Sequence, residues 1–440
     1  MRSLKKHLAL WLGLNLSWLI GTGNWLAAQS FFPPLQRRVL KNGLPLIYQQ
    51  DSSSPLTILI LTIKGGRRGE PQGKAGLGYL TTRLSLEITD QNKLRQLMTQ
   101  ASQLTFSTLP DYNLIRLASL SPHFAETLKL IINLMRKPLF SGLRINRIKK
   151  SMLRSKKRLS DQASNLAREE AHAFLFGSTG YGTSSFGSEK TLKNISKKDI
   201  EKYYKSFFTA ANMVAVVISD KDLGSLLPLL EEQLGKFPPG KPLELTPLTF
   251  PPLEEQEKKL TRKSQELLLY LAYRLPPLTP KITAFSLLLD NLLGKGVASR
   301  LWKLREYEKL AYDIQSEVHL YQAGGILEIY LETSPKKRDI AWQSLEREID
   351  HLLKQPLSEA ELAMTKAYTK ASLLRQCQEK NSRATYLATF EATGLGAEFL
   401  EELLIYFDEL NLGDFNAFIQ KVLSPGNRFR LEIGPLPSSD

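Results

Sequence analysis

Arg305 and Tyr312 stand seven residues apart in Leu304-Arg305-Glu306-Tyr307-Glu308-Lys309-Leu310-Ala311-Tyr312. A fixed guanidinium and a phenol can both donate to a carbonyl oxygen as it becomes tetrahedral, which is the chemistry of an oxyanion site. Taken alone, the pair has plainer roles: a helix ion pair for Arg305 and the start of a half-buried strand for Tyr312. Groups for metal chemistry are sparse. The five histidines, His7, His123, His172, His319 and His351, are isolated from one another, and no pair has ligand spacing. His172, in Arg168-Glu169-Glu170-Ala171-His172, offers a ligand or acid–base set, against which stands the simpler reading of a solvated helix face. His319 and His351 read as a strand-surface and a helix-surface residue. The single cysteine, Cys377, cannot close an internal disulfide. Gly294-Lys295-Gly296 lacks the strand and third glycine of a nucleotide fingerprint.

These groups need elements to hold them. The stretch from Gly76 to Ile88 has helical spacing, with Leu77, Leu80, Leu84 and Ile88 on one face, so Tyr79, Thr82 and Arg83 ride on a helix. Glu87, four residues beyond Arg83, is expected to pair with it. Ahead of that helix, Arg37 to Tyr48 forms two short strands around Asn42-Gly43, and Leu56 to Lys64 is a third strand. After it come a strand pair over Leu104 to Leu120, an amphipathic helix over Ala125 to Met135 and a long helical stretch from Ile145 to Phe174. A helix over Lys197 to Phe207 and a buried strand over Met213 to Ser219 close the unit. The second half repeats the order: a strand from Glu266 to Tyr273, helices over Ile282 to Leu293 and Ser299 to Glu308, and strands over Ala311 to Leu320 and Gly325 to Thr333. Helices over Asp339 to Lys354 and Glu359 to Glu379 follow. This is α+β organisation used twice.

Composition narrows the classes. A hydrophobic content of 42% with 23% charged residues describes a folded globular protein. At 440 residues the chain exceeds one ordinary core, so two domains of roughly 200 residues each are expected. The boundary falls in a Pro-rich linker at 238–256, between domains at 31–237 and 257–440. Lys and Arg outnumber Asp and Glu by 59 to 44, a net charge of +15. The excess lies in short runs such as Lys156-Lys157-Arg158, with no basic tail, RNA-binding sheet motif or zinc finger. A solvated basic surface accounts for it, and no nucleic-acid partner is expected.

Residues 1–30 read as a signal peptide: Arg2, Lys5 and Lys6 precede an apolar run from Leu8 to Gly21. That run is shorter than the ~20 residues of a stable membrane span. An exported, periplasmic or otherwise extracytoplasmic chain is expected, touching a membrane only through an uncleaved signal segment.

Across roughly residues 35 to 435 the chain resembles one subunit of the mitochondrial-processing-peptidase and insulinase/pitrilysin superfamily of zinc peptidases, the inverted zincins. The resemblance rests on Leu40-Lys41-Asn42-Gly43-Leu44, Gly65-Gly66-Arg67-Arg68-Gly69-Glu70-Pro71, Gly73-Lys74-Ala75-Gly76-Leu77, Tyr181-Gly182 with Phe186-Gly187, and Ala211-Asn212-Met213. Ser299-Arg300-Leu301-Trp302-Lys303-Leu304-Arg305-Glu306 and Leu310-Ala311-Tyr312 extend it into the second half. It implies two homologous α+β domains, each an antiparallel sheet of about six strands packed against helices.

Active members carry His-x-x-Glu-His on a helix and a third ligand, Glu, on a later helix. The same frame here puts Tyr79 and Arg83 in the histidine places, Thr82 in the place of the general base and Ser155 in the third-ligand place. None of these can hold Zn²⁺ or activate its water. The resemblance also implies that Arg305 and Tyr312 bind substrate and stabilise the oxyanion, and that Gly294 and Gly296 belong to a substrate loop. The implied protein is a metallopeptidase family member inactive alone, with no cofactor in this chain and zinc expected in a partner. It would be the non-catalytic subunit of an extracytoplasmic two-chain zinc peptidase, forming half of a peptide-binding chamber with a homologous zinc-bearing subunit as heterodimer partner. The alternative on the same fold is a peptide-binding or scaffolding protein without proteolysis.

Overall fold

The computed structural model describes residues 30–296 and 299–435. The signal-peptide expectation falls on residues outside this range, save Ser30. No helix among the described residues is long and apolar enough to cross a membrane.

Short apolar runs build the first sheet. β1 (Leu35–Val39) and β2 (Pro45–Gln50) make the hairpin expected around Asn42-Gly43, followed by β3 (Leu56–Lys64), β4 (Gln103–Thr108), β5 (Tyr112–Leu120) and β6 (Met213–Ser219). Their order is β1-β2-β6-β3-β5-β4, with β2 parallel to β6 and the other neighbours antiparallel. The second sheet comprises β7 (Gln256–Arg262), β8 (Leu267–Leu275), β9 (Asp313–Tyr321), β10 (Gly324–Thr333) and β11 (Arg428–Pro435), in the order β7-β11-β8-β10-β9. Here β7 runs parallel to β11. Strand for strand this repeats β2-β6-β3-β5-β4, so the second sheet is the first without its β1. The two sheets hold six and five strands, with one parallel pair in each rather than wholly antiparallel pairing.

Both faces of the first sheet are covered, which is why β3 and β6 are nearly continuous apolar runs. Leu59, Leu61 and Ile63 join a core with Phe124, Leu128 and Ile132 of the helix Ser121–Arg136. Ile60 is also buried, but it pairs with Arg116 on the opposite face, where Arg116 donates to Thr385 at 2.7 Å. That face is covered by a helix from the other half of the chain.

The helices that bear on function are α1 (Leu77–Ser85), α2 (Gly142–Ser160), α3 (Ala163–Phe176), α4 (Trp302–Glu306) and α5 (Lys380–Thr393). The expected continuous helix from Ile145 to Phe174 is two helices, α2 and α3, separated at Asp161-Gln162. The break has a packing cause. Ile145, Ile148 and Met152 of α2 enter the first core, whereas Ala167, Ala171, Leu175 and Phe176 of α3 enter the second, with Leu268, Tyr270, Phe429 and Leu431. α5 makes the reverse journey and packs on β3 and β6. Each half lends a helix to the other's sheet, and the described residues from Leu35 onward make one compact unit. The helix expected over Ser299 to Glu308 is shorter, a five-residue α4.

Candidate functional site

α1 begins at Gly76, whose φ of 96° is left-handed and whose side chain cannot cap the helix. A Cβ there would lie 3.0 Å from Leu192 Cδ2 and 3.1 Å from the Gly187 nitrogen, so Gly76 also admits the Phe186-Gly187 loop. The cap comes from Glu70, whose carboxylate accepts the Gly76 N–H at 3.1 Å and the Gly78 N–H at 2.8 Å. Burial pushes the Glu70 carboxyl up to about 8, opposed by those two amide hydrogen bonds and by Arg67. The Gly65–Glu70 motif is therefore the device that seats α1.

Leu77, Leu80 and Leu84 hold α1 in the first core. On its outer side Tyr79 and Arg83 face α2, and with Ser155 they line one pocket of about 230 Å³. The remaining lining is Glu87, Arg147, Ile148, Ser151, Met152 and Arg154. Tyr79 is wedged between Phe106 and Phe186, with ring centroids 4.9 and 4.8 Å away. Burial raises its phenol above the ordinary range, and Arg83 pulls the other way. Three of the four frame positions are thus brought together. The fourth is not: Thr82 is fully buried, and its hydroxyl has no hydrogen-bond partner.

Glu87 does not pair with Arg83 as its spacing suggested. It binds Arg144 at 2.7 Å and also Arg147, both on α2, so the helix-to-helix contact wins over the contact along α1. A catalytic zinc site needs three donors and an open position for water. This pocket offers a tyrosine, two serines and three guanidinium groups around a carboxylate already ion-paired, and the residues do not fit the ion.

Arg305 and Tyr312 lie elsewhere. Arg305, on α4, stands over the Trp302 ring at 5.3 Å and 3.9 Å from Glu306. Tyr312 is 60% exposed, and its N–H donates to the Glu332 carbonyl at 2.8 Å. Among the described residues neither shares a pocket, hydrogen bond or ring contact with Tyr79, Arg83 or Ser155. Gly294 and Gly296 are closely packed: a Cβ would meet the Ser316 nitrogen at 2.4 Å or the Tyr368 hydroxyl at 2.3 Å, respectively.

His172 is not on a solvated face. It is buried in the second core, its Nδ1 2.8 Å from the Tyr181 carbonyl, and burial lowers its pKa to about 4. Nearby is a cluster that its sequence spacing concealed, because it joins two strands. Glu317 and His319 of β9 and Glu328 of β10 place one ligand atom each within 4.8 Å of the others. Arg168 of α3 already engages both carboxylates, at 2.7 Å to Glu328. The same carboxylates raise His319 to about 9 against the effect of burial. Two anions meet two cations, so the cluster is a charge-balanced network tying α3 to the second sheet. The basic face of α2 was legible in principle, since Arg147, Ser151, Arg154 and Ser155 follow helical spacing.

Residues 194–368 match the family described as "Peptidase M16 inactive domain". The non-peptidase homolog YmxG of Helicobacter pylori is 22% identical over 384 residues, 86% of this chain and 88% of its own length. The beta subunit of the mitochondrial-processing peptidase of Blastocladiella emersonii is 21% identical over 212 residues, 47% of this chain and 46% of that protein. The crystal structure of a peptidase M16 inactive domain from Pseudomonas fluorescens superposes with a TM-score of 0.81 at 20% identity, covering 92% of this chain and 99% of that one. These likenesses show that residues 194–368 carry a domain of the peptidase M16 inactive-domain type and that the fold over most of the chain is that of M16-like proteins.

Proposed function

We propose that the chain is the non-catalytic subunit of an extracytoplasmic two-chain zinc peptidase. It supplies half of a peptide-binding chamber to a homologous partner that carries His-x-x-Glu-His, and it lends Arg305 and Tyr312 to the oxyanion. The observation that carries this reading is the pocket between α1 and α2, which gathers Tyr79, Arg83 and Ser155, residues that offer no zinc site. A frame kept without its chemistry fits a chain selected for shape beside a catalytic copy. The exposure of Tyr312 leaves its phenol free to meet another chain, and a relative of this protein is named as a peptidase subunit. Export rests on the residue pattern of the N-terminal segment.

A second reading, a peptide-binding scaffold without hydrolysis, draws on the local duties of the same residues. Arg305 is engaged with Trp302, and Gly294 and Gly296 are explained by packing. One assay separates the two. The full chain, a His-x-x-Glu-His homologue from the same genome, and their mixture are each given unstructured peptides. The subunit reading expects hydrolysis by the mixture well above the sum of the separate chains, falling more than about tenfold with Arg305→Ala or Tyr312→Phe. A mixture no faster than the homologue alone favours the scaffold.

A further inference from the structure

The pocket between α1 and α2 is built for a charge opposite to that of a metal ion. Its ionisable lining is Arg83, Arg147, Arg154 and the single acid Glu87, which already holds Arg144 and Arg147. The guanidinium groups of Arg83 and Arg154 have no hydrogen-bond or ion-pair partner among the described residues. The hydroxyls of Tyr79, Ser151 and Ser155 complete the polar lining. Guanidinium groups match carboxylates with paired, charge-assisted hydrogen bonds that outlast simple surface charge pairing.

The pocket does not stand alone. Arg147 and Arg154 also line an adjoining hollow on the outer face of α2, with Asn146, Lys150 and Leu143. Leu143 is 87% exposed. Two basic hollows that share Arg147 and Arg154, the second lined also by an exposed apolar side chain, suit an extended chain carrying several carboxylates better than a small inorganic anion.

We propose that this pocket and the adjoining hollow bind acidic peptide segments, with Arg83, Arg147 and Arg154 supplying the charge and Tyr79, Ser151 and Ser155 the neutral donors. That the anion is carried by a peptide rests on the peptide-binding role proposed above. A site that evolved around a divalent cation in its relatives would then select carboxylates here and repel basic segments.

The test is fluorescence anisotropy on the full chain with labelled glutamate-rich, lysine-rich and neutral peptides of one length, with inorganic phosphate and a single-stranded oligonucleotide as competitors. The expected result is binding of the glutamate-rich peptide, weakened by salt and weakened more than about tenfold by Arg83→Glu with Arg154→Glu. Both side chains are exposed, and circular dichroism confirms that the variant is folded. Lys336→Glu, far along the chain, is expected to leave affinity unchanged. Equal binding by the double variant, no preference for the acidic peptide, or displacement by phosphate or oligonucleotide at lower concentration than by unlabelled acidic peptide each overturns the proposal. The peptidase mixture assay is scored separately. Stimulation that persists without acidic preference sinks this inference alone, and acidic binding without stimulation sinks only the subunit reading.

Discussion

His319 Nε2 lies 3.3 Å from a carboxylate oxygen of Glu328, a residue with no exposed surface, and Arg168 donates to the same oxygen at 2.7 Å. The buried anion is therefore shared by two cations from different elements. Its consequence is a pH signature. Glu328 is held down to about 2, chiefly by His319 and Arg168 working against its burial, while His319 is raised to about 9. A raised histidine contributes its stability in full below its unfolded value near 6.5 and loses it as pH climbs toward 9. A depressed carboxylate contributes above its unfolded value and loses that as pH falls through its folded one. The thermal midpoint is expected to decline from about pH 6.5 to 9, and His319→Gln is expected to flatten part of that decline in a pH series of melting curves.

His172 works in the opposite direction. Burial lowers it to about 4, so it folds neutral, and its protonation in the unfolded chain costs stability as pH drops from about 6.5 to 4. His172→Phe is expected to flatten this acid limb, read from the same melting series.

Glu70 reaches across the turn to cap α1. Glu70→Ala removes the acceptor of the Gly76 and Gly78 N–H groups, and a loss of about 1–3 kcal/mol is expected in chemical denaturation. An unchanged unfolding midpoint would refute the cap.

Thr82 carries a buried hydroxyl without a partner. Thr82→Val keeps the shape and removes the polar group, so stability is expected to rise by about 1 kcal/mol. A fall would mean that the hydroxyl is satisfied in solution.

Lys380 fastens α5 to the first half of the chain, donating to the carbonyls of Asp51, Ser54 and Leu56 at 2.5, 2.6 and 3.2 Å. Lys380→Met strands these acceptors, and a loss of about 2–4 kcal/mol is expected, with earlier protease cleavage near residue 51.

Much of the fold was legible where a local pattern decided the outcome. β3, β6 and the helix Lys197–Phe207 fall on the residues that their apolar runs and periodicity indicate. What escaped depends on distant partners. β7 is a polar edge strand, Gln-Glu-Lys-Lys-Leu-Thr-Arg, recognisable only once β11 lies beside it. The break between α2 and α3, and the burial of His172, follow from α3 crossing to the second sheet, an exchange that periodicity does not record. At the candidate site Tyr79, Arg83 and Ser155 line one pocket, while Thr82 is buried apart from it. Glu87 was misassigned because spacing along one helix says nothing of Arg144 and Arg147 on the next. The Glu317–His319–Glu328 network was hidden for the same reason, since two strands must pair before its members meet.

We propose that the pocket between α1 and α2 holds an anion in place of a metal ion. The most direct measurement is the zinc content of the full chain, expressed with ample zinc, desalted and analysed by inductively coupled plasma mass spectrometry. The expected result is far below one ion per chain. One tightly held zinc per chain, lost on substitution of Tyr79 or Ser155, would contradict the account.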